Sequence, residues 1–204
     1  MSRAALVVID VQESFRQRPI WAYGSNPDIV GQVDRLVDAA RARGDLVVWV
    51  LHAEPGTGGV FDPANGHVRL IEGLSAAPGE PTLVKTSHNS FTTTNLQQVL
   101  TAAGVREITV CGIRTEQCVE TTARVGSDLG YQVTFVTDAT MTFPIPHRDL
   151  PATATATPEE ILADPRTLSN EEIVTRTEYV LAGRFATIRT VAELTGVTPA
   201  GARG

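Results

Sequence analysis

Three residues of this 204-residue chain have side chains that together could carry out covalent chemistry. Asp10, Lys85 and Cys118 each follow an apolar run of the kind that forms a buried strand. A thiolate is a strong nucleophile, an ammonium stabilises it, and a carboxylate can take and return a proton. We therefore predict nucleophilic catalysis by Cys118, with Asp10 as the acid and base and Lys85 holding both groups in place.

Cys118 lies within residues 112–124, where an apolar run ends and a helix is predicted to begin. Unpaired N–H groups and the positive dipole at a helix N-terminus favour the thiolate over the thiol. The alternative is a buried filler residue, which is the usual role of a free cysteine and the role we expect for Cys111. Asp10 and Lys85 also have simpler interpretations, as a residue that caps a turn and as a solvated lysine.

Six runs of apolar, β-branched residues predict the strands that must position these groups. The predicted strands cover 5–9, 46–51, 82–84, 107–111, 132–137 and 185–188. Helical spacing and end signals predict helices over 26–43, 92–103, from just after Cys118 to about 129, 158–163, 169–181 and 191–194.

Alternation of strands and helices predicts one α/β domain over 1–204, a doubly wound (Rossmann-like) parallel sheet with helices on both faces. Ligands of such sheets bind beyond the carboxyl ends of the strands. The predicted fold therefore places Asp10, Lys85 and Cys118 on one rim. Only the proline-punctuated segment at about 141–169 breaks the pattern, and we expect a loop that forms a lid, a subunit contact or a mobile insertion.

Composition narrows the classes of partner. The net charge of −6 and the absence of a long basic cluster argue against nucleic acid and anionic membranes, so we expect a small-molecule substrate. The first residues lack the features of a signal peptide and no apolar run is long enough to span a membrane, which favours a cytoplasmic protein. The two cysteines form neither a disulfide framework nor a zinc pattern, and we expect reduced thiols.

Several motifs resemble the isochorismatase-like cysteine hydrolases, in order and over nearly the whole chain. They are Ile9-Asp10-Val11-Gln12, Lys85 with Ser90-Phe91, Gly112-Ile113-Arg114-Thr115, Cys118-Val119, Thr122-Ala123-Arg124, Gly130-Tyr131-Gln132-Val133 and Asp138-Ala139.

The resemblance implies a six-stranded parallel sheet and a Cys118, Asp10 and Lys85 triad. It also implies a cis peptide bond between Ile113 and Arg114, with the backbone N–H groups of Arg114 and Cys118 as an oxyanion hole. The implied reaction is cleavage of an amide, imide or ureido C–N bond through a thioester. Members of this family are commonly dimers or tetramers, so we expect a homodimer or homotetramer.

Other reactions remain open alternatives. Isochorismatases cleave a vinyl ether without the nucleophilic cysteine, so Cys118 points to the amidase branch. Nicotinamidases add a metal site whose spacing His52, Glu54, Asp62 and His67 do not reproduce, so we expect no metal and no cofactor, although these residues could still bind one. A third alternative is a catalytically silent ligand-binding or scaffold protein, because one fold hosts many functions.

The side chains expected to line a substrate pocket are aromatic or polar and follow the predicted strands. We assign this role to Phe15, Trp21, His52, His88, Asn89, Phe91, Glu116 and Phe143. Aromatic walls with a few polar groups suit a small flat carbonyl compound, but the aromatic residues could equally pack within loops. Arg114 has three possible partners, namely a substrate carboxylate, Glu116 or solvent.

Overall fold

The centre of the molecule is a six-stranded sheet, described by a computed structural model that covers residues 3–150 and 157–196. All neighbouring strands are parallel, in the order β3-β2-β1-β4-β5-β6. The strands are β1 Arg3–Ile9, β2 Leu46–His52, β3 Thr82–Lys85, β4 Val105–Ile113, β5 Gln132–Met141 and β6 Thr187–Arg189. The predicted α/β fold, a doubly wound six-stranded parallel sheet, is confirmed.

Helices cover both faces of the sheet, because successive side chains of a strand point to opposite faces. They are α1 Glu13–Arg16, α2 Ile29–Arg43, α3 Leu96–Ala102, α4 Glu120–Asp128, α5 Pro158–Ala163, α6 Asn170–Leu181 and α7 Val191–Thr195. Leu6 and Val8 of β1 pack with α2 and α7 on one face. Val7 and Ile9 pack with α3, α4 and α6 on the other.

The order of the strands reverses between β1 and β4. Val7 of β1 lies opposite Val48 of β2 on one side and Val110 of β4 on the other. The loops that leave β1 and β4 therefore diverge, which creates the crevice in which such sheets bind ligands.

Several predicted boundaries are wrong, including the start of α3, which is Leu96 and not residue 92. Two others are wrong because side chains have partners that sequence patterns do not reveal. Helix α2 begins at Ile29, while Asn26 donates from Nδ2 to the backbone oxygens of Asp138 and Thr140 at 2.8 and 3.1 Å. These bonds tie the loop to β5, which continues to Met141 instead of ending near Thr137.

The segment at about 141–169 contains helix α5, and residues near its two ends contact each other. Ile145 forms an isolated bridge with Leu168, and Thr157 and Glu160 cap α5 reciprocally. Residues 151–156 of the predicted lid or subunit contact lie outside the described residues. Within the described part of the chain, no helix is both long and apolar enough to cross a membrane.

Candidate active site

Asp10 ends β1 at the crevice and adopts an unusual backbone conformation. Its φ of 55° lies in the left-handed region, which Asp tolerates better than most residues that carry a Cβ. Its backbone N–H donates to the Val50 oxygen at 2.8 Å, so β2 fixes this turn. The turn places a fully buried carboxylate at the strand end.

Lys85, at the end of β3, contacts both of the other predicted catalytic residues. Its side chain is fully buried, and Nζ lies 2.8 Å from Asp10 Oδ2 and 3.3 Å from Cys118 Sγ. Nζ also donates to the backbone oxygen of Ser87 at 3.1 Å. A buried ammonium needs such partners, because burying an unpaired charge is costly.

The turn that carries Cys118 begins with a glycine whose surroundings leave no room for a Cβ. Gly112 has a φ of 125°, and a Cβ at this position would lie 1.9 Å from the Ile9 oxygen. The peptide bond between Ile113 and Arg114 is cis, at the position named in the sequence analysis. The chain then forms a π-helical turn, Thr115–Val119, that leads into α4.

Helix α4 and the loop after β3 hold this turn from behind. Thr122 Oγ1 donates to the backbone oxygen of Cys118 at 2.6 Å, and it accepts from the Ser90 N–H at 3.0 Å. Cys118 is 7% exposed. Its thiol is therefore held next to Lys85 within a largely dry site.

The electrostatics favour a neutral thiol at rest, which corrects the expectation of a stabilised thiolate. Burial raises the pKa of Cys118 to about 12, the charge of Asp10 contributes to the rise, and Lys85 only partly opposes it. Burial also raises the pKa of Asp10, while the charge of Lys85 lowers it. Burial beside a carboxylate therefore has a larger effect on the thiol than the charge of Lys85.

Asp10 has an oxygen available for the thiol proton. Neither of its oxygens accepts a well-aligned hydrogen bond within the described residues, although Oδ2 lies 2.8 Å from the ammonium of Lys85. Burial raises the pKa of Asp10, while Lys85 and a hydrogen bond from the Cys118 thiol lower it, so a buried carboxylate oxygen lies within reach of the thiol. Such an atom next to a thiol is suited to receive its proton during attack.

His52, predicted to contact substrate, lies beside Lys85. Its Nδ1 is 3.4 Å from Lys85 Nζ, and its Nε2 is 3.4 Å from Glu54 Oε1. Burial and then the charge of Lys85 lower the pKa of His52, which favours a neutral ring. The Gln12 side chain fixes the His52 backbone through bonds of 2.7 and 2.9 Å to its N–H and oxygen.

Three of the aromatic residues predicted to contact substrate instead pack against one another in the hydrophobic core, and none of them lines the cavity described below. Phe143 is stacked with Phe15 at 6.1 Å between ring centroids, and Trp21 lies 6.2 Å from Phe143. Arg114 covers the Phe143 ring at 5.1 Å and donates from Nη2 to the Phe143 oxygen at 2.8 Å.

Glu116 lies on the other side of Arg114. Its Oε1 is 3.4 Å from Arg114 Nε, and its Oε2 accepts from Thr142 Oγ1 at 2.6 Å. Of the three partners considered for Arg114, Glu116 is therefore the one present in the structure.

The other three predicted substrate contacts have different surroundings. Phe91 is buried in the core and stacks on Tyr131 at 5.9 Å. Asn89 accepts from the backbone N–H groups of Phe91 and Thr92, an arrangement that stabilises the turn before α3. His88 is exposed and makes no hydrogen bond, ion pair or ring contact with any described residue.

A cavity of about 960 Å³ adjoins the nucleophile turn, within the size range of small-molecule sites. Arg114 and Gln117 line it on that side, and Pro144, Ile145 and Pro146 line another. Arg18 also lines the cavity, and it could not be predicted from the sequence because it lies in a loop without periodicity or a motif. Across residues 3–150 and 157–196, no three His, Cys, Asp or Glu side chains are grouped to hold a metal ion.

Comparison with known proteins gives a consistent match along most of the chain. A model of the isochorismatase domain matches residues 4–179. Streptothricin hydrolase from Streptomyces noursei is 38% identical over 144 residues, which cover 70% of this chain but only 56% of that enzyme. Nicotinamidase 3 from Arabidopsis thaliana is 34% identical over 154 residues, covering 69% of this chain and 74% of that protein.

The fold also matches solved structures. A cysteine hydrolase from Pseudomonas syringae pv. phaseolicola 1448A superposes with a TM-score of 0.77 and 25% sequence identity. The superposition covers 95% of this chain and 91% of that one.

Proposed function

Because the chain belongs to the isochorismatase family of hydrolases, we propose that it uses Cys118 to cleave a C–N bond of a small amide, imide or ureido compound. The observation that carries this proposal is the position of one buried ammonium, Lys85 Nζ, 2.8 Å from a carboxylate oxygen and 3.3 Å from a thiol sulfur. Nucleophile, base and orienting cation are thereby within reach of one another.

In the proposed first step, Asp10 accepts the thiol proton while Cys118 Sγ attacks the substrate carbonyl carbon. The raised pKa of the thiol means that this proton must move during attack, since little thiolate exists beforehand. Asp10 then donates the same proton to the leaving nitrogen. The C–N bond breaks, ammonia or an amine departs, and a thioester remains on Cys118.

In the second step, Asp10 takes a proton from water, which attacks the thioester carbonyl and releases the carboxylic acid. Asp10 then returns the proton to the sulfur, which restores the starting state. In both steps the backbone N–H groups of Arg114 and Cys118 would stabilise the oxyanion, and one such donor contributes about 2.7–4 kcal/mol. Lys85 remains charged throughout and keeps Asp10 next to the sulfur.

Two considerations favour an amide over a vinyl ether. Thioester formation requires a carbonyl carbon, and the site supplies both a nucleophile for that carbon and an acid for the leaving nitrogen. A relative at 34% identity is named for nicotinamide, which is itself an amide.

The test is a panel of primary amides, imides, ureido acids and nicotinamide, assayed for ammonia release. We expect Cys118→Ala to lose activity by at least about 10³-fold, because the covalent route is removed. Cys111→Ala is the matched control, since Cys111 is equally free of disulfide bonds but lies within β4. We expect this variant to keep activity.

Equal ammonia release by Cys118→Ala and the unchanged protein would refute the covalent mechanism. A loss of activity on prolonged chelation that zinc or iron restores would favour the metal-assisted alternative. If no member of the panel is hydrolysed, the silent ligand-binding alternative gains support.

A further inference from the structure

Arg18 is a half-buried guanidinium group without a partner. It lies between α1 and the 3₁₀ turn Pro19–Tyr23. Its side chain makes no hydrogen bond or ion pair with any residue that the structure describes. Burial lowers the pKa of Arg18, and the negative charge of Glu54 partly opposes this effect. A partly desolvated guanidinium is costly unless an anion pairs with it.

The unpartnered group faces the cavity beside the nucleophile. Arg18, Arg114 and Gln117 line the same space, and the last two belong to the turn that carries Cys118. Burial lowers the pKa of Arg114, Glu116 opposes this, and the charge of Arg18 lowers it further, so the two guanidinium groups lie within electrostatic range of each other. The cavity thus connects Arg18 with the surroundings of the thiol.

The other charged groups of the cavity already have partners. Arg114 is bonded to the Phe143 oxygen and paired with Glu116. Glu159 also lines the cavity, and its carboxylate accepts a hydrogen bond from the neutral Tyr23 hydroxyl at 3.0 Å. Most of the remaining wall is apolar, including Pro19, Ile20 and Ile145. Among the described residues that line the cavity, Arg18 is therefore the one cation without an ion-pair partner.

Building on the proposed amide hydrolysis, we propose that Arg18 binds a carboxylate of the substrate. The substrate class is then a small amide that carries a carboxylate several bonds from its scissile C–N bond. A guanidinium presents its N–H groups as a planar fork that matches a carboxylate. One free guanidinium balances one negative charge, which favours a carboxylate over a doubly charged phosphate.

The test compares acids with isosteric neutral amides. Malonamate, succinamate, glutaramate and adipamate are each paired with the corresponding diamide, and ammonia release gives kcat/KM for both members. We expect the unchanged protein to prefer the acid at one chain length. In Arg18→Gln, the ratio of kcat/KM for acid over diamide should fall by about 10- to 100-fold, the range for a lost charge-assisted hydrogen bond.

Arg106→Gln is the matched control. Arg106 is exposed and lies near the start of β4, whereas the turn that carries Cys118 follows the end of this strand. This variant loses the same charge and should keep the unchanged ratio. Because the partly buried charge of Arg18 has no ion-pair partner, Arg18→Gln should unfold at a urea concentration no lower than that of the unchanged protein.

A binding measurement separates this proposal from the proposed reaction. Calorimetric titration of Cys118→Ala with the same acids and diamides requires no turnover. Tighter binding of an acid than of its diamide supports the carboxylate site, provided that the double variant Cys118→Ala, Arg18→Gln loses this preference. This result holds even if no amide is hydrolysed. Equal binding of acid and diamide, or binding of neither, overturns it, whereas hydrolysis without acid preference overturns the carboxylate site alone.

Discussion

Replacing Lys85 with methionine removes the ammonium from the buried triad and keeps a long apolar side chain. Lys85 and Asp10 are both 0% exposed and lie 2.8 Å apart, so the variant leaves a buried carboxylate without its counterion. Removal of one partner from a buried ion pair costs about 3–5 kcal/mol. We expect the free energy of unfolding at pH 7 to fall by this amount.

The same change should remove the general base. Burial already raises the pKa of Asp10, and the charge of Lys85 is the first influence that lowers it. Without that charge the pKa rises further, so a smaller fraction of Asp10 is ionised at a given pH. Because a positioned general base contributes about 10²–10⁴-fold, kcat/KM for ammonia release at pH 7 should fall by at least that factor.

Two measurements test this prediction, namely the stability of Lys85→Met at several pH values and the stability of a double variant. Below pH 3.8 Asp10 is mostly protonated in both the folded and the unfolded chain, so the stability deficit of Lys85→Met should be smallest there and grow as the pH rises through the higher Asp10 pKa of the variant. Urea unfolding measures this at each pH. Asp10→Asn combined with Lys85→Met removes both charges and should regain much of the lost stability. A Lys85→Met protein as stable and active as the original, or a double variant less stable than Lys85→Met alone, would contradict the account.

Three further predictions concern the same site. The kcat/KM profile should lose activity on the acid side with a midpoint above 3.8, because Asp10 must be ionised to accept the thiol proton. A midpoint at or below that value would contradict the assignment. Without substrate, Cys118 should react with iodoacetamide at pH 7 far more slowly than free cysteine, since a pKa of about 12 leaves about a thousandfold less thiolate; equal rates would restore the thiolate expectation. Gly112→Ala should lose several kcal/mol of stability in urea, because the added Cβ would lie 1.9 Å from the Ile9 oxygen, and native stability would refute this.

Much of the fold could be predicted because its strands are buried on both faces. Runs such as Val7-Val8-Ile9 are continuous and apolar, and a parallel sheet places their carboxyl ends on one edge. The same rule predicts that Asp10 and Lys85 lie close together, because each follows the carboxyl end of a parallel strand.

The errors share a physical origin in contacts between distant parts of the chain. The pKa of Cys118 depends on burial and on Asp10, neither of which a helix N-terminus reveals. Phe91 was predicted to face substrate, but its position over Tyr131 depends on how α4 and β5 pack. Arg18 belongs to no sequence motif, and its proposed role in substrate binding follows only from its position beside a cavity without an ion-pair partner among the described residues.

The most direct test of the central claim is a search for the thioester itself. The unchanged protein is mixed with the amide that the panel identifies, quenched in acid within the first turnover and analysed by intact and peptide mass spectrometry. The acyl group should be found on the peptide that contains Cys118, in the Cys111→Ala control as well as the unchanged protein. Release of ammonia while Cys118 stays unmodified, or an acyl group on another residue, would contradict nucleophilic catalysis by Cys118.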